Sequence, residues 1–180
     1  MSSVVETESV RAGSRPASSA RTAAASSPAS SPWLISIYLS SLALWVGAAA
    51  FFSGAVLPAL FMNLEPHHAG EIAALIFPIY FDAGLVAGVI TTAAAAGIAA
   101  RGERRWKIAF GVLVVMTVAQ AWSALVVFPE IARLRGVDSE VARFQDLHHL
   151  SVRLNGVVLC GGILLLAASG LMLARRRDGA

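Results

Sequence analysis

Long apolar blocks alternate with short polar segments along most of the chain. Four blocks, at about Trp33–Leu60, Ile76–Ala100, Trp106–Phe128 and Leu150–Ala174, consist mainly of Ala, Leu, Val, Ile, Gly and Phe. Apolar runs of roughly 18 residues or more with few charges are long enough to cross a bilayer as helices. The pattern therefore predicts an all-α integral membrane four-helix bundle over residues 33–174, with the lipid bilayer as its main partner.

The segments at the two ends of the chain have a different composition. Residues 1–32 are rich in Ser, Ala, Pro and Arg and show no apolar period, so they are predicted to form a disordered tail. Three arginines among the serines also fit an organellar targeting segment, whereas Glu6 and Glu8 argue against one. Residues 175–180 form a basic C-terminal tail.

The basic residues predict how the helices are oriented. Of the 14 Lys and Arg residues, ten lie in the two terminal tails and the 101–107 connection, and four lie between residues 129 and 153. Cytoplasmic segments of membrane proteins carry the excess of Lys and Arg, so both termini are predicted to be cytoplasmic. A bacterial inner membrane is the favoured location, with an organellar membrane as the alternative. Because these charges flank apolar spans, no nucleic-acid partner is expected.

Polar side chains within the blocks concentrate near the ends remote from the termini, here called the outer ends. The predicted cluster at the outer ends consists of Asp82, Gln120, His148, Ser151, Arg153 and Asn155. A charged side chain inside a span is costly unless it is paired or reaches the headgroups, so Asp82 and Arg153 are expected to do one or the other. The spacing of His148, Ser151 and Asn155 places them on one helical face, which either bonds to neighbouring helices or contacts a ligand.

The same ends carry all the histidines. His67, His68, His148 and His149 are the candidate metal ligands. Adjacent side chains point in different directions on a helix, so only one histidine of each pair is expected to serve a given site. No tight spacing such as HxxxH or CxxC is present, and the sequence therefore predicts neither a bound metal nor a cofactor.

Small residues at helical spacing indicate close helix packing. Ala50 and Gly54 form one such pair, and Gly84 and Gly88 form a GxxxG pair. The connection at 129–149 has apolar residues at mostly helical intervals and predicts one or two short amphipathic helices. No Ser-His-Asp arrangement, phosphate loop or HExxH run appears, so the chain is not expected to be an enzyme.

Two motifs give the sequence a family resemblance. The run Phe77-Pro78-Ile79-Tyr80-Phe81 and the later series Phe144…His148…Ser151…Asn155 together resemble the transmembrane-protein-205-like family, a four-helix membrane domain of unknown function. The resemblance covers about Trp45 to Asn155 and extends distantly to copper-resistance D membrane proteins. It implies the four-helix fold and adds Pro78 and Tyr80 to the predicted binding residues. A link of one family member to platinum-drug resistance implies metal or drug handling.

These observations lead to three functional hypotheses. The first is a transport or resistance accessory for a small solute or metal ion. The second is a structural scaffold that assembles in the membrane as a homo-oligomer or with another membrane protein. The third is a metal- or haem-binding redox membrane protein.

Overall fold

The computed structural model describes residues 32–102 and 104–178, and it describes the side chains of all of these residues except 173 and 175–178. The described chain forms four long helices: α1 (Pro32–Asn63), α2 (Pro66–Ala99), α3 (Arg104–Leu134) and α4 (Val141–Asp178). Each contains a stretch long and apolar enough to cross a membrane. The prediction of an all-α four-helix membrane bundle is confirmed. The predicted disordered tail, apart from Pro32, and the side chains of the basic C-terminal tail lie outside the described residues.

The helices extend beyond the predicted membrane spans at their outer ends. Helix α2 begins at Pro66 rather than near Ile76, and its 34 residues make it about 51 Å long, compared with about 30 Å of hydrocarbon in a bilayer. The 129–149 connection was expected to form one or two short amphipathic helices broken near Gly136 and Asp138. It is helical on both sides of such a break, but the helical pieces are continuous with the membrane helices. Its residues belong to the ends of α3 and α4, joined by a short turn in which Gly136 has a φ of 76° and Asp138–Glu140 form a 3₁₀ helix.

Helices α1 and α3 each contain a π-helical turn near the outer end, at Phe52–Val56 and Ser123–Val127. A proline follows two residues after each turn, at Pro58 and Pro129. Proline has no N–H and its ring crowds the preceding turn, which normally kinks or ends a helix. The wider π turn accommodates the proline, so α1 continues to Asn63 and α3 continues to Leu134.

The helices are arranged so that α1 and α3 each contact both α2 and α4. The core between them is filled by side chains that include Leu42, Trp45, Leu113, Met116 and Val158. Toward the inner end, the hydroxyls of Tyr38 and Ser169 are 2.9 Å apart and join α1 to α4. This part of the bundle is held together by close packing and by side-chain hydrogen bonds between the helices.

The predicted small-residue pairs have two different environments. Gly84 and Gly88 face the interior, where an added Cβ would lie 3.3 Å and 2.9 Å from atoms of the Trp45 ring. Ala50 and Gly54 are exposed, and a Cβ at Gly54 would meet nothing within 4 Å.

Side chains of α3, Gln120 and Thr117, are similarly close to Gly84 and Gly88. The GxxxG pair therefore packs α2 against both α1 and α3 within one chain, and a substitution there would disturb the bundle itself.

Candidate functional site

A cavity of about 860 Å³ lies at the outer end of the bundle and is lined by residues of all four helices. Its wall is mainly apolar, with polar side chains such as Gln145 and Ser151 among the lining residues. Seven Phe and Tyr side chains line it: Phe52, Phe61, Phe77, Tyr80, Phe81, Phe128 and Phe144. Cavities that bind small molecules typically enclose about 300–1,000 Å³ and combine an apolar wall with a few placed polar groups. The cavity is thus of the size and character of a small-molecule site.

Three polar side chains on the cavity wall form a hydrogen-bonded chain across three helices. The Tyr80 hydroxyl on α2 donates to Asn155 Oδ1 on α4, and Asn155 Nδ2 donates to Ser53 Oγ on α1 at 3.0 Å. Ser53 lies in the first π turn, which accommodates Pro58 at this level of α1. All three residues are half-buried and line the cavity. The chain, here called the Tyr80–Asn155–Ser53 chain, gives the apolar wall one polar strip.

Aromatic stacking holds this strip in place. The Phe52 ring stacks on Tyr80 with ring centroids 4.4 Å apart. Phe77 contacts Phe81 and Phe128 with centroids 5.8 Å and 5.6 Å apart. Contacting aromatic rings of this kind contribute roughly 0.5–1.5 kcal/mol each beyond the area that they bury. They fix the orientation of Tyr80 and leave its hydroxyl directed at α4.

Charged and ionisable side chains occur at the mouth of the cavity, where His67, Glu71, Arg135 and His148 are among the lining residues. Arg135 Nη1 donates to the carbonyl oxygen of Gly70 at 2.8 Å and so ties the end of α3 to the start of α2.

Outside the mouth, Glu130 accepts from Arg133 at 2.7 Å and lies 2.8 Å from the Arg143 guanidinium. This ion-paired group connects the end of α3 to the start of α4. Together with Arg135, it fixes the relative positions of three helix ends around the mouth.

The structure brings together half of the predicted binding residues. Tyr80, His148, Ser151 and Asn155 line the cavity. Gln120 is 2% exposed and donates from Nε2 to the Phe81 carbonyl at 3.2 Å, so it bonds α3 to α2 within the core.

The other three predicted binding residues, Pro78, Asp82 and Arg153, lie on the exposed surface and not on the cavity wall. No ion pair joins Asp82 to Arg153 in the described part of the chain. Their exposure agrees with the alternative that both side chains extend to the headgroups.

Several lining residues were missed by the sequence reasoning. Ser53 and Phe52 lie within a stretch rich in Ala, Gly and Ser that looks like lipid-facing helix. The available signal was Pro58, because a proline inside a continuing membrane helix requires a local change of helical geometry. His67 and Glu71 were placed before the second span, whereas α2 already includes them.

The fold and the cavity define a class: four-helix multi-pass membrane proteins with an aromatic cavity at one end of the bundle. The profile of a domain of unknown function, DUF4149, matches residues 40–138, more than half of the chain. The chain belongs to this family.

One relative is similar over most of its length and is itself uncharacterised. An uncharacterised protein of Aquifex aeolicus (strain VF5) is 27% identical over 131 residues, which cover 71% of this chain and 92% of the relative. No solved structure matches the chain. The matches carry no information on the transmembrane-protein-205-like or copper-resistance D resemblance, which stays a prediction from the motifs.

Proposed function

We propose that this protein binds a small, mainly apolar molecule with one hydrogen-bonding group in the outer cavity, as an accessory of solute transport or resistance. The observation that carries the proposal is the Tyr80–Asn155–Ser53 chain, which lies against aromatic side chains on the wall of the 860 Å³ cavity. An apolar wall favours an apolar ligand, and an isolated polar strip favours a ligand with a polar group at one position.

The chain has hydrogen-bonding capacity left for a ligand. An amide NH₂ has two donors, of which Asn155 uses one on Ser53. The Tyr80 oxygen donates to Asn155 and can still accept, and the Ser53 hydroxyl can still donate. A hydroxyl or carbonyl group of a ligand could therefore bond to the strip without breaking the contacts between the helices.

We favour binding of a solute over catalysis. The cavity supports solute binding better than it supports a structural scaffold or a metal- or haem-binding redox protein. The scaffold hypothesis relied on the small-residue faces, of which the Gly84–Gly88 pair packs inside the bundle and the Ala50–Gly54 pair stays exposed. Haem ligation would need histidines between the helices, and all four histidines are exposed near the outer end. As for location, we favour a bacterial inner membrane because of the charge distribution and the relative from Aquifex aeolicus.

Binding of 1-naphthol and naphthalene to the full chain in lipid nanodiscs tests the proposal by calorimetry. The two probes share an apolar ring system, and only 1-naphthol has a hydroxyl. A neutral hydrogen bond contributes about 0.5–1.5 kcal/mol, so the protein should bind 1-naphthol about 2- to 13-fold more tightly. Asn155→Leu removes the centre of the chain and should reduce this preference, and Tyr80→Phe combined with Asn155→Leu should reduce it further.

Two tryptophan substitutions provide a matched control for that experiment. Ser151 lines the cavity one helical turn from Asn155, so Ser151→Trp should place an indole beside the polar strip and weaken binding of both probes. Ser40 is exposed on α1 and does not line the cavity, so Ser40→Trp should bind as the unmodified chain does. Equal binding by both tryptophan variants, or no probe binding beyond that of empty nanodiscs, would overturn the proposal.

A further inference from the structure

Three metal-binding side chains lie together in the first turns of α2. His67 and His68 follow Pro66, and Glu71 lies one turn later. One ligand atom from each of the three lies within 4.8 Å of the other two. Adjacent residues on a helix usually point in different directions, so only one histidine of the pair is expected at a given site. Here both His67 and His68 have a ring nitrogen within 4.8 Å of a Glu71 carboxylate oxygen.

The separation of these atoms is close to what a metal ion requires. Tetrahedral Zn²⁺ with bonds of about 2.0–2.2 Å places its ligand atoms roughly 3.4 Å apart. Side-chain rotations that move the three ligand atoms by about 1 Å would bring them to this spacing. The side chains are free to make them, since those of His67 and Glu71 are 82% and 57% exposed. The closest contact between the two, His67 Nδ1 to Glu71 Oε1, is 3.8 Å.

We propose that His67, His68 and Glu71 bind one divalent transition-metal cation of the Zn²⁺ class at the mouth of the cavity. Two imidazoles and a carboxylate form a ligand set suited to such a cation. Three protein ligands leave one tetrahedral position for water or a solute, unlike the closed four-ligand sites that stabilise folds. His67 and Glu71 both line the cavity, so that fourth position lies at its entrance.

Local charges set the expected strength of this site. Two positive charges oppose a cation at this site. The Arg135 guanidinium donates to Gly70, next to Glu71. The site also lies at the start of α2, where the helix dipole is positive. The site is therefore suited to exchangeable rather than permanent metal. For a site of nitrogen and oxygen ligands, Cu²⁺ should bind more tightly than Zn²⁺, as the Irving–Williams order gives.

Competition for Zn²⁺ against a chromophoric chelator tests the site on the full chain purified in mild detergent. One Zn²⁺ should bind per chain. Loss of an outer-shell partner already weakens metal sites by about 10–100-fold, so His67→Ala, His68→Ala and Glu71→Gln should each weaken binding by more than about tenfold. The three residues are exposed, so helical content and monodispersity should be unchanged.

The remaining histidines provide matched controls. His148→Ala and His149→Ala should bind Zn²⁺ as the unmodified chain does, and so should Ser151→Trp. Because Ser151→Trp impairs the proposed solute site, normal Zn²⁺ binding by this variant would show that the metal site is independent of that solute site. The metal site is overturned if the unmodified chain binds no Zn²⁺, if the three ligand variants bind normally, or if His148→Ala weakens binding as strongly as His67→Ala.

Discussion

Replacing Trp45 by Ala is expected to lower the free energy of unfolding by about 3–5 kcal/mol, the range for truncating a buried Trp. The indole is 2% exposed and lies against α2, where Gly84 and Gly88 provide the space for it. Helix association within a bilayer depends on van der Waals packing, because lipid tails are as apolar as the side chains they replace. Removing the ring therefore leaves a gap that lipid cannot fill.

The measurement for Trp45→Ala is the reversible unfolding of the full chain by SDS in mixed micelles, followed by circular dichroism. Trp122 is 53% exposed on α3 and serves as the matched control, so Trp122→Ala should cost less than about 1 kcal/mol. A double variant that adds Gly88→Leu to Trp45→Ala should recover part of the loss by refilling the gap. Equal losses in the two tryptophan variants would contradict the packing described here.

Replacing Gly162 by Leu is expected to produce the second-largest loss. A Cβ at this position would overlap Cγ2 of Val46 on α1 and lie 3.5 Å from the Met116 methyl on α3. Overpacking a filled core costs about 1–3 kcal/mol, and the four-carbon side chain should reach the upper end of that range. Helix α4 would have to move away from both neighbours, which would also separate Asn155 from Tyr80 and Ser53.

The same unfolding assay applies to Gly162→Leu, with Gly170→Leu as its control. Gly170 lies on the same helix, is exposed, and would present its Cβ to open space. The control should therefore be within about 0.5 kcal/mol of the unmodified chain, as surface changes usually are. If Gly162→Leu behaved like Gly170→Leu, α4 could not be packed against α1 through this glycine.

The fold was largely predictable from the apolar pattern, whereas the positions of helix ends were not. Length and hydropathy identify a membrane helix, but they do not show where it stops once it leaves the hydrocarbon. Pro129 was expected to end α3, and the π turn at Ser123–Val127 lets the helix continue to Leu134. That turn depends on tertiary packing as well as on the proline, so sequence periodicity alone does not reveal it.

The candidate site was predicted in part, and the errors have two different physical origins. Ser151 and Asn155 were grouped because polar residues within a span usually face other helices, and both line the cavity, whereas Tyr80 entered only through the family resemblance. Asp82 was grouped with them and is exposed, because a charge near the end of a span can be satisfied by headgroups and need not face inward. Ser53 was overlooked, since one extra residue in a π turn rotates the helical face by about 100° relative to a regular count.

We expect the cavity to open to the aqueous phase on the side of the membrane opposite the Arg101–Lys107 connection, as the distribution of basic residues predicts. The most direct measurement is labelling of single cysteines, in a Cys160→Ser background, with a membrane-impermeant maleimide on intact cells. Ser151 lies on the cavity wall, so Ser151→Cys should be labelled in intact cells. Arg105 lies in the connection on the opposite side of the membrane, so Arg105→Cys should be labelled only after permeabilisation. Labelling of Arg105→Cys in intact cells, or a Ser151→Cys that stays unreactive before and after permeabilisation, would contradict the account.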